Sequence, residues 1–150
     1  MAESYKIKDN EGLYFVTVTT IGWVDVFIRK IYKDVIIESL QYCIDKKGLN
    51  LHAFVIMASH IHAIVSVKPN FILVDTIRDF KKFTSKQLIE LIKTTDESRR
   101  VWLLNKFSFE ANRIKRAKNY PTLGEICNLV ASKIITSTLG EICNLAASSF

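Results

Sequence analysis

Two kinds of run punctuate the chain: short ones where apolar and polar positions alternate, and longer ones where apolar positions recur every three or four residues. Leu13 to Thr20 (LYFVTVTT) is aromatic and β-branched, which predicts a strand. Tyr14, Val16 and Val18 share one of its faces, and Phe15, Thr17 and Thr19 the other. Ile21-Gly22-Trp23 breaks it. From about Arg29 to Lys47, Tyr32, Val35, Ile36, Ser39 and Cys43 fall on one helical stripe. Gly48 caps that helix after Lys46 and Lys47, which suit the negative end of its dipole. Leu51 to Met57 reads as a second strand and Ala58-Ser59 as a tight turn. His60 to Val67 reads as a third strand, stopped by Pro69. A second helix is predicted over about Ile72 to Lys93, with Leu73, Ile77, Phe80, Thr84, Leu88 and Leu91 inward. Residues 97–120 are charged and predict a loop with a short helix.

The order β-α-β-β-α is that of the first five elements of a ferredoxin-like domain. The predicted class is α+β: a ferredoxin-like βαββα core with one sheet face under the helices and one open. The open face would carry His60, His62, Thr17 and Thr19, while Ile61, Ala63 and Val65 would face the helices. The character changes at Pro121. Residues 122–132 (TLGEICNLVAS) and 138–148 (TLGEICNLAAS) match at ten of eleven positions. Two copies of a short unit do not make a solenoid, and Glu125 and Glu141 read as surface residues. The chain thus divides into a core, 1–120, and an atypical tail, 121–150, standing where the fold's last strand belongs.

At 150 residues with 49% hydrophobic and 24% charged positions, the chain is long and apolar enough to bury a core, which argues against disorder. A net charge of +6 favours an anionic partner. Two clusters carry the excess: Arg78, Lys81, Lys82 and Lys86, and the stretch holding Arg99, Arg100, Lys106, Arg113, Lys115, Arg116 and Lys118 against Glu110 alone. Both are candidate phosphate-contacting surfaces, and a solvated face is the plain alternative. The three cysteines have no CxxC spacing, so neither a disulfide framework nor a zinc knuckle is indicated. No apolar run is long enough for a membrane span, and Met1 to Asn10 lacks a signal-peptide core. The expected setting is cytoplasmic.

His60 and His62 are the candidate chemistry. At i and i+2 on one strand their side chains project from the same side, where two imidazoles can hold a divalent cation together. A structural pair is the alternative, because this spacing is common by chance. With a two-residue turn, Met57 lies opposite His60 and Val55 opposite His62. His52 then falls on the other face and is no ligand.

Three ordered segments, Tyr14-Phe15-Val16-Thr17, Val55-Ile56-Met57-Ala58-Ser59-His60-Ile61-His62 and Ile77-Arg78-Asp79-Phe80-Lys81-Lys82-Phe83-Thr84, resemble the single-tyrosine HUH transposases. This insertion-sequence-200-like group includes the repeat-associated tyrosine transposases, and the resemblance spans residues 13–120. Ala58 stands where the family usually has proline. The resemblance implies cleavage and strand transfer on single-stranded or hairpin DNA by a homodimer. It implies Mg²⁺ or Mn²⁺ held by His60 and His62; from the charge clusters, Arg78, Lys81, Lys82, Lys86, Arg113, Lys115 and Arg116 are the candidate DNA contacts. A tyrosine on a later helix would attack, leaving a 5′-phosphotyrosine link. No tyrosine follows Tyr120, so Tyr120 is the one candidate nucleophile downstream of the histidines. The usual tyrosine helix is missing, so the chain reads as an impaired transposase. Two other functions remain: a non-catalytic nucleic-acid-binding module, and a metal-dependent hydrolase of a small phosphoester. The latter lacks the extra carboxylates of a two-metal site.

Overall fold

Strand β3, His60–Val67, sets the division between core and free face. Ile61, Ala63, Val65 and Val67 are buried, and the residues between them are half-exposed. The architecture is that of a computed structural model, which describes residues 12–118 and 136–138, with side chains over 12–113. Strand β1, Tyr14–Thr19, lies antiparallel to β3, with Thr17 opposite His62 and Thr19 opposite His60. Strand β2, Leu49–Ile56, flanks β3 on its other side. The sheet order is β2-β3-β1-β4, where β4 is Thr136–Thr138. Val16 faces Thr136 and Tyr14 faces Thr138, so three tail residues line the outer edge of β1. They come from the link between the two repeat copies and the first position of the second. Tyr120 and the rest of both copies lie outside the described residues.

The predicted hairpin register holds. Val55 lies opposite His62, and the Met57 amide donates to the His60 carbonyl at 2.8 Å. The expectation for His52 does not hold. Leu51 pairs with Val65 but Ala53 with Ile64, so a bulge at His52 shifts the strand by one residue. That shift returns His52 to the histidine face, where its Nε2 lies 2.9 Å from the Ser66 hydroxyl. Ser66 is four residues along β3 from His62, about 13 Å at the rise of a strand. Distance, rather than the opposite face, keeps His52 from the pair.

Helices α1 (Lys30–Lys46) and α2 (Leu73–Thr94) cover the other face. Tyr32, Ile36, Leu40 and Cys43 of α1 meet Leu73, Ile77, Phe80, Leu88 and Ile92 of α2 in one core with Val16, Ile61 and Val65. Apolar burial of this kind is the main stabilising term. Helix α1 stops where the Lys47 amide donates back to the Cys43 carbonyl at 3.0 Å and Gly48 takes φ +64°. A Cβ at Gly48 would also run into the Phe71 ring. Gly48→Ala is expected to cost about 2 kcal/mol, from the left-handed conformation and the displaced ring, read as a lower urea midpoint.

Residues 100–118 differ from expectation. They form one long helix, α3 (Arg100–Lys118), rather than a loop with a short helix. Its apolar stripe is narrow: Leu103, Phe107 and Ala111, one residue every four, are buried. The charges that masked the stripe are paired along the helix, Lys106 and Arg113 both to Glu110 at 2.9 and 2.7 Å. Glu97 anchors the start of α3. Its buried carboxylate accepts from the Tyr32 hydroxyl at 2.8 Å, the Arg29 guanidinium at 3.0 Å and the Arg99 amide at 3.1 Å. Burial pushes this carboxyl up, but these hydrogen bonds together hold it below the usual carboxylate range. Among the described residues, no helix is long and apolar enough to cross a membrane.

Candidate nucleic-acid interface

The sheet register brings His60 and His62 side by side on the free face. Their ring centroids are 4.7 Å apart, with the planes inclined at 75°. Each ring is held at Nδ1 by a hydroxyl. Thr17 Oγ1 lies 2.8 Å from His62 Nδ1, across the β1–β3 pairing, and Ser59 Oγ lies 3.2 Å from His60 Nδ1. Where Nδ1 carries the proton, each Nε2 lone pair faces outward as a donor. Burial, and then the neighbouring His60 charge, hold the His62 imidazole below its usual range, so it stays neutral near pH 7. A neutral ring is the form that binds a cation.

Aromatic rings extend the pair on both sides. Phe15 stacks on His62 at 5.2 Å and 21°, and Trp23 meets His60 edge-on at 5.9 Å. The turn carrying Trp23 is fixed by Thr20. Its amide and its hydroxyl both donate to the Ser59 carbonyl at 2.9 Å, and the hydroxyl also reaches the Val24 carbonyl at 2.6 Å. Ser59 directly precedes His60, so one residue ties the end of β1 to the start of β3.

The basic residues are distributed differently from the histidines. Helix α2 packs on the covered face, so Arg78, Lys82 and Lys86, exposed on its outer side, stand in the layer opposite the imidazoles. Arg78 is occupied by Asp75 at 2.6 Å and lies 3.6 Å from Asp79. Lys81 is half-buried beside a cavity of about 20 Å³, lined also by Thr19, Thr20, Ile61 and Thr84, and burial lowers its pKa. Arg99 pairs with Asp25 at 2.8 Å, and Arg100 caps the carbonyls of Ile92 and Thr95. Arg113 is exposed on α3 while touching Glu110. The Lys115 and Arg116 side chains, like Tyr120, lie outside the described residues.

Sequence reasoning placed the histidines and Thr17 but passed over Ser59 and Trp23. A Gly-Trp pair directly after a strand was the available signal for Trp23. Ser59 gave none, because its role depends on which hydroxyl the turn presents to the ring. Among the described residues, no three His, Cys, Asp or Glu side chains gather as a metal cluster.

The antiparallel sheet with helices on one face is a fold shared with a solved structure. The crystal structure of a candidate transposase from Deinococcus radiodurans R1 matches it with a TM-score of 0.56 at 14% identity, over 98% of this chain and 93% of that one. The structure of a REP-associated tyrosine transposase bound to a REP hairpin matches over 58% of this chain and 53% of that one, at 18% identity and a TM-score of 0.45. No curated protein sequence matches the chain. The sequence profile of the IS200-like transposases matches residues 13–119, and the chain belongs to that family.

Proposed function

We propose that the chain binds single-stranded or hairpin DNA at the histidine face together with a divalent cation, as a transposase impaired in strand cleavage. The observation that carries this reading is the pair of adjacent imidazoles with both Nδ1 atoms engaged by hydroxyls. Two imidazoles without a carboxylate suit an ion that also takes oxygens from water and a phosphate, and Mn²⁺ accepts nitrogen more readily than Mg²⁺. His60 and His62 would hold that ion through Nε2, and when bound it would polarise a phosphodiester oxygen. Thr17 and Ser59 orient the rings. Arg113, Lys115 and Arg116 on α3, with Lys81, Lys82, Arg78 and Lys86 on α2, would contact flanking phosphates on a strand that wraps past the sheet.

Cleavage would need a hydroxyl to replace the 3′-oxygen at phosphorus, leaving a 5′-phosphotyrosine and a free 3′-hydroxyl. The described tyrosines are poorly placed. Tyr14 and Tyr32 are buried in the core, and Tyr42 stacks on Phe83 in the helix layer. That leaves Tyr5 and Tyr120, of which Tyr120 alone follows the histidines in sequence, and the impaired reading follows from its position before Pro121, ahead of the repeat tail 121–150 that succeeds the core 1–120. Among the described residues the outer edge of β2 has no partner strand, and Phe54 and Val55 are each 46% exposed, which supports a homodimer.

The test is incubation with hairpin DNA and Mn²⁺. Binding that weakens as salt rises, without a covalent protein–DNA adduct, is the expected result. An adduct that survives denaturation and disappears in Tyr120→Phe overturns the impairment, and absence of binding at low salt overturns the reading altogether.

A further inference from the structure

Trp23 is 67% exposed, yet its backbone is held at φ +56°. A bulky residue in the left-handed region is a backbone outlier and costs roughly 1–2 kcal/mol. Gly22 before it is also left-handed, at φ +64° and ψ +18°, so two consecutive residues turn the chain sharply after β1. The turn itself is firmly made: the Trp23 amide donates to the Thr20 carbonyl at 3.1 Å, and Thr20 is tied to Ser59 and Val24. Core packing does not explain the side chain, since most of the indole lies in solvent. Its ring contact is His60. The strained turn therefore presents a large aromatic surface beside the histidine pair, continuing the line Phe15, His62, His60, Trp23.

The charge around this line is one-sided. From Leu13 to Val24 and from Leu49 to Val67 the sequence has no Asp or Glu, so β1, β2, β3 and the turn carry no carboxylate. Helix α3 borders the turn: a Cβ at Gly22 would lie 3.3 Å from Lys106 Cε and 3.4 Å from Glu110 Cγ. There, Lys106 and Arg113 share the single carboxylate of Glu110, leaving a net positive charge next to Trp23. An aromatic face beside two cations that share one carboxylate, next to strands that carry no acid, suits a ligand that combines a flat ring with a phosphate.

We infer that Trp23 stacks on an unpaired nucleobase of single-stranded DNA and so positions the adjoining phosphate at the His60–His62 pair. This rests on the DNA-binding reading above and adds a residue and a contact to it. Lys106 and Arg113 then face the backbone of the same nucleotide. Strain at Trp23 is retained because a residue relaxed in this conformation, such as Asn or Gly, would lack the ring.

The experiment measures fluorescence anisotropy of fluorescein-labelled oligothymidylate with the full chain and three variants, alongside Tm and Mn²⁺ affinity. Trp23→Ala is expected to weaken DNA binding by about 5- to 100-fold, the range for loss of one base–aromatic stack. Trp23→Phe should recover most of the affinity. Trp23→Asn should bind as weakly as alanine while keeping or raising Tm, and Mn²⁺ affinity should stay within about twofold in all three, because Trp23 donates nothing to the ion. Unchanged DNA affinity in Trp23→Ala, with the unsubstituted chain binding, overturns the stacking contact alone. Equal weakness of Phe and Ala overturns it too, and a lowered Tm in Trp23→Asn makes the residue structural. Failure of the unsubstituted chain to bind any oligonucleotide overturns both this contact and the DNA-binding reading.

Discussion

Mn²⁺ affinity falls at least about 100-fold when His60 and His62 are both replaced by alanine, measured by isothermal titration calorimetry on the folded chain. The expectation follows from the donor set: among the described residues two imidazoles lie side by side, with His52 too far along the sheet to join them, and loss of even an outer partner costs about 10- to 100-fold at protein metal sites. Both rings are half-exposed, so their removal leaves the core intact and the fold serves as its own control. The pH dependence carries a sign. His62 is held below the usual imidazole range, by burial first and then by the His60 charge. A proton competes with a cation for the ring, so the His62 contribution to affinity is retained above the ordinary imidazole range and is lost as pH falls through the depressed value. The same depression links to stability. The unfolded chain takes up the proton first, so the neutral ring's contribution is present above the unfolded pKa and is lost as pH drops from there to the folded one. Calorimetric affinity that survives the double substitution would sink the assignment.

Removing the Glu97 carboxylate has the largest expected effect on stability. Glu97→Ala leaves the Tyr32 hydroxyl, at 0% exposure, and the Arg99 amide without this acceptor, while Arg29 loses its ion pair and keeps its bond to the Asp96 carbonyl. A loss of about 3 kcal/mol is expected in urea denaturation, in line with the cost of orphaning buried polar partners. Glu97→Gln should fall between, since an amide oxygen still accepts from Tyr32. The carboxyl is depressed despite its burial, so its stabilisation is present above the ordinary carboxylate range and fades as pH falls through the depressed pKa. A ΔΔG under about 1 kcal/mol for Glu97→Ala would show that the hydrogen bonds are replaced by water at no cost.

Much of this was legible in the sequence where local pattern and tertiary burial agree. The alternation of β3 separated His60 and His62 from Ile61, Ala63 and Val65, and the two-residue turn fixed Val55 opposite His62. Pattern failed where tertiary partners decide. Helix α3 was hidden because, among the described residues, its fully buried positions recur only once in four and Lys106 and Arg113 pair with Glu110 on the same helix. The burial of Glu97 had no local signature, since Tyr32 and Arg29 come from more than sixty positions away. The bulge at His52 escaped because an extra residue leaves composition unchanged while reversing the face of everything before it. The basic clusters were visible as charge. Their occupation was less so: Asp75 meets Arg78 one turn away on a helix the sequence shows, but Asp25 reaches Arg99 from 74 positions away and Glu110 pairs along a helix that the pattern concealed.

The Thr20 side chain has a consequence for how this surface tolerates inheritance and drift. One hydroxyl reaches the carbonyls of Val24 and Ser59, and so braces the turn bearing Trp23 and the residue that leads into His60. A lineage that loses the oxygen at position 20 loosens the indole and the imidazole in a single event. The two halves of the surface are therefore exposed to mutation as one target, and they would decay together rather than by separate steps.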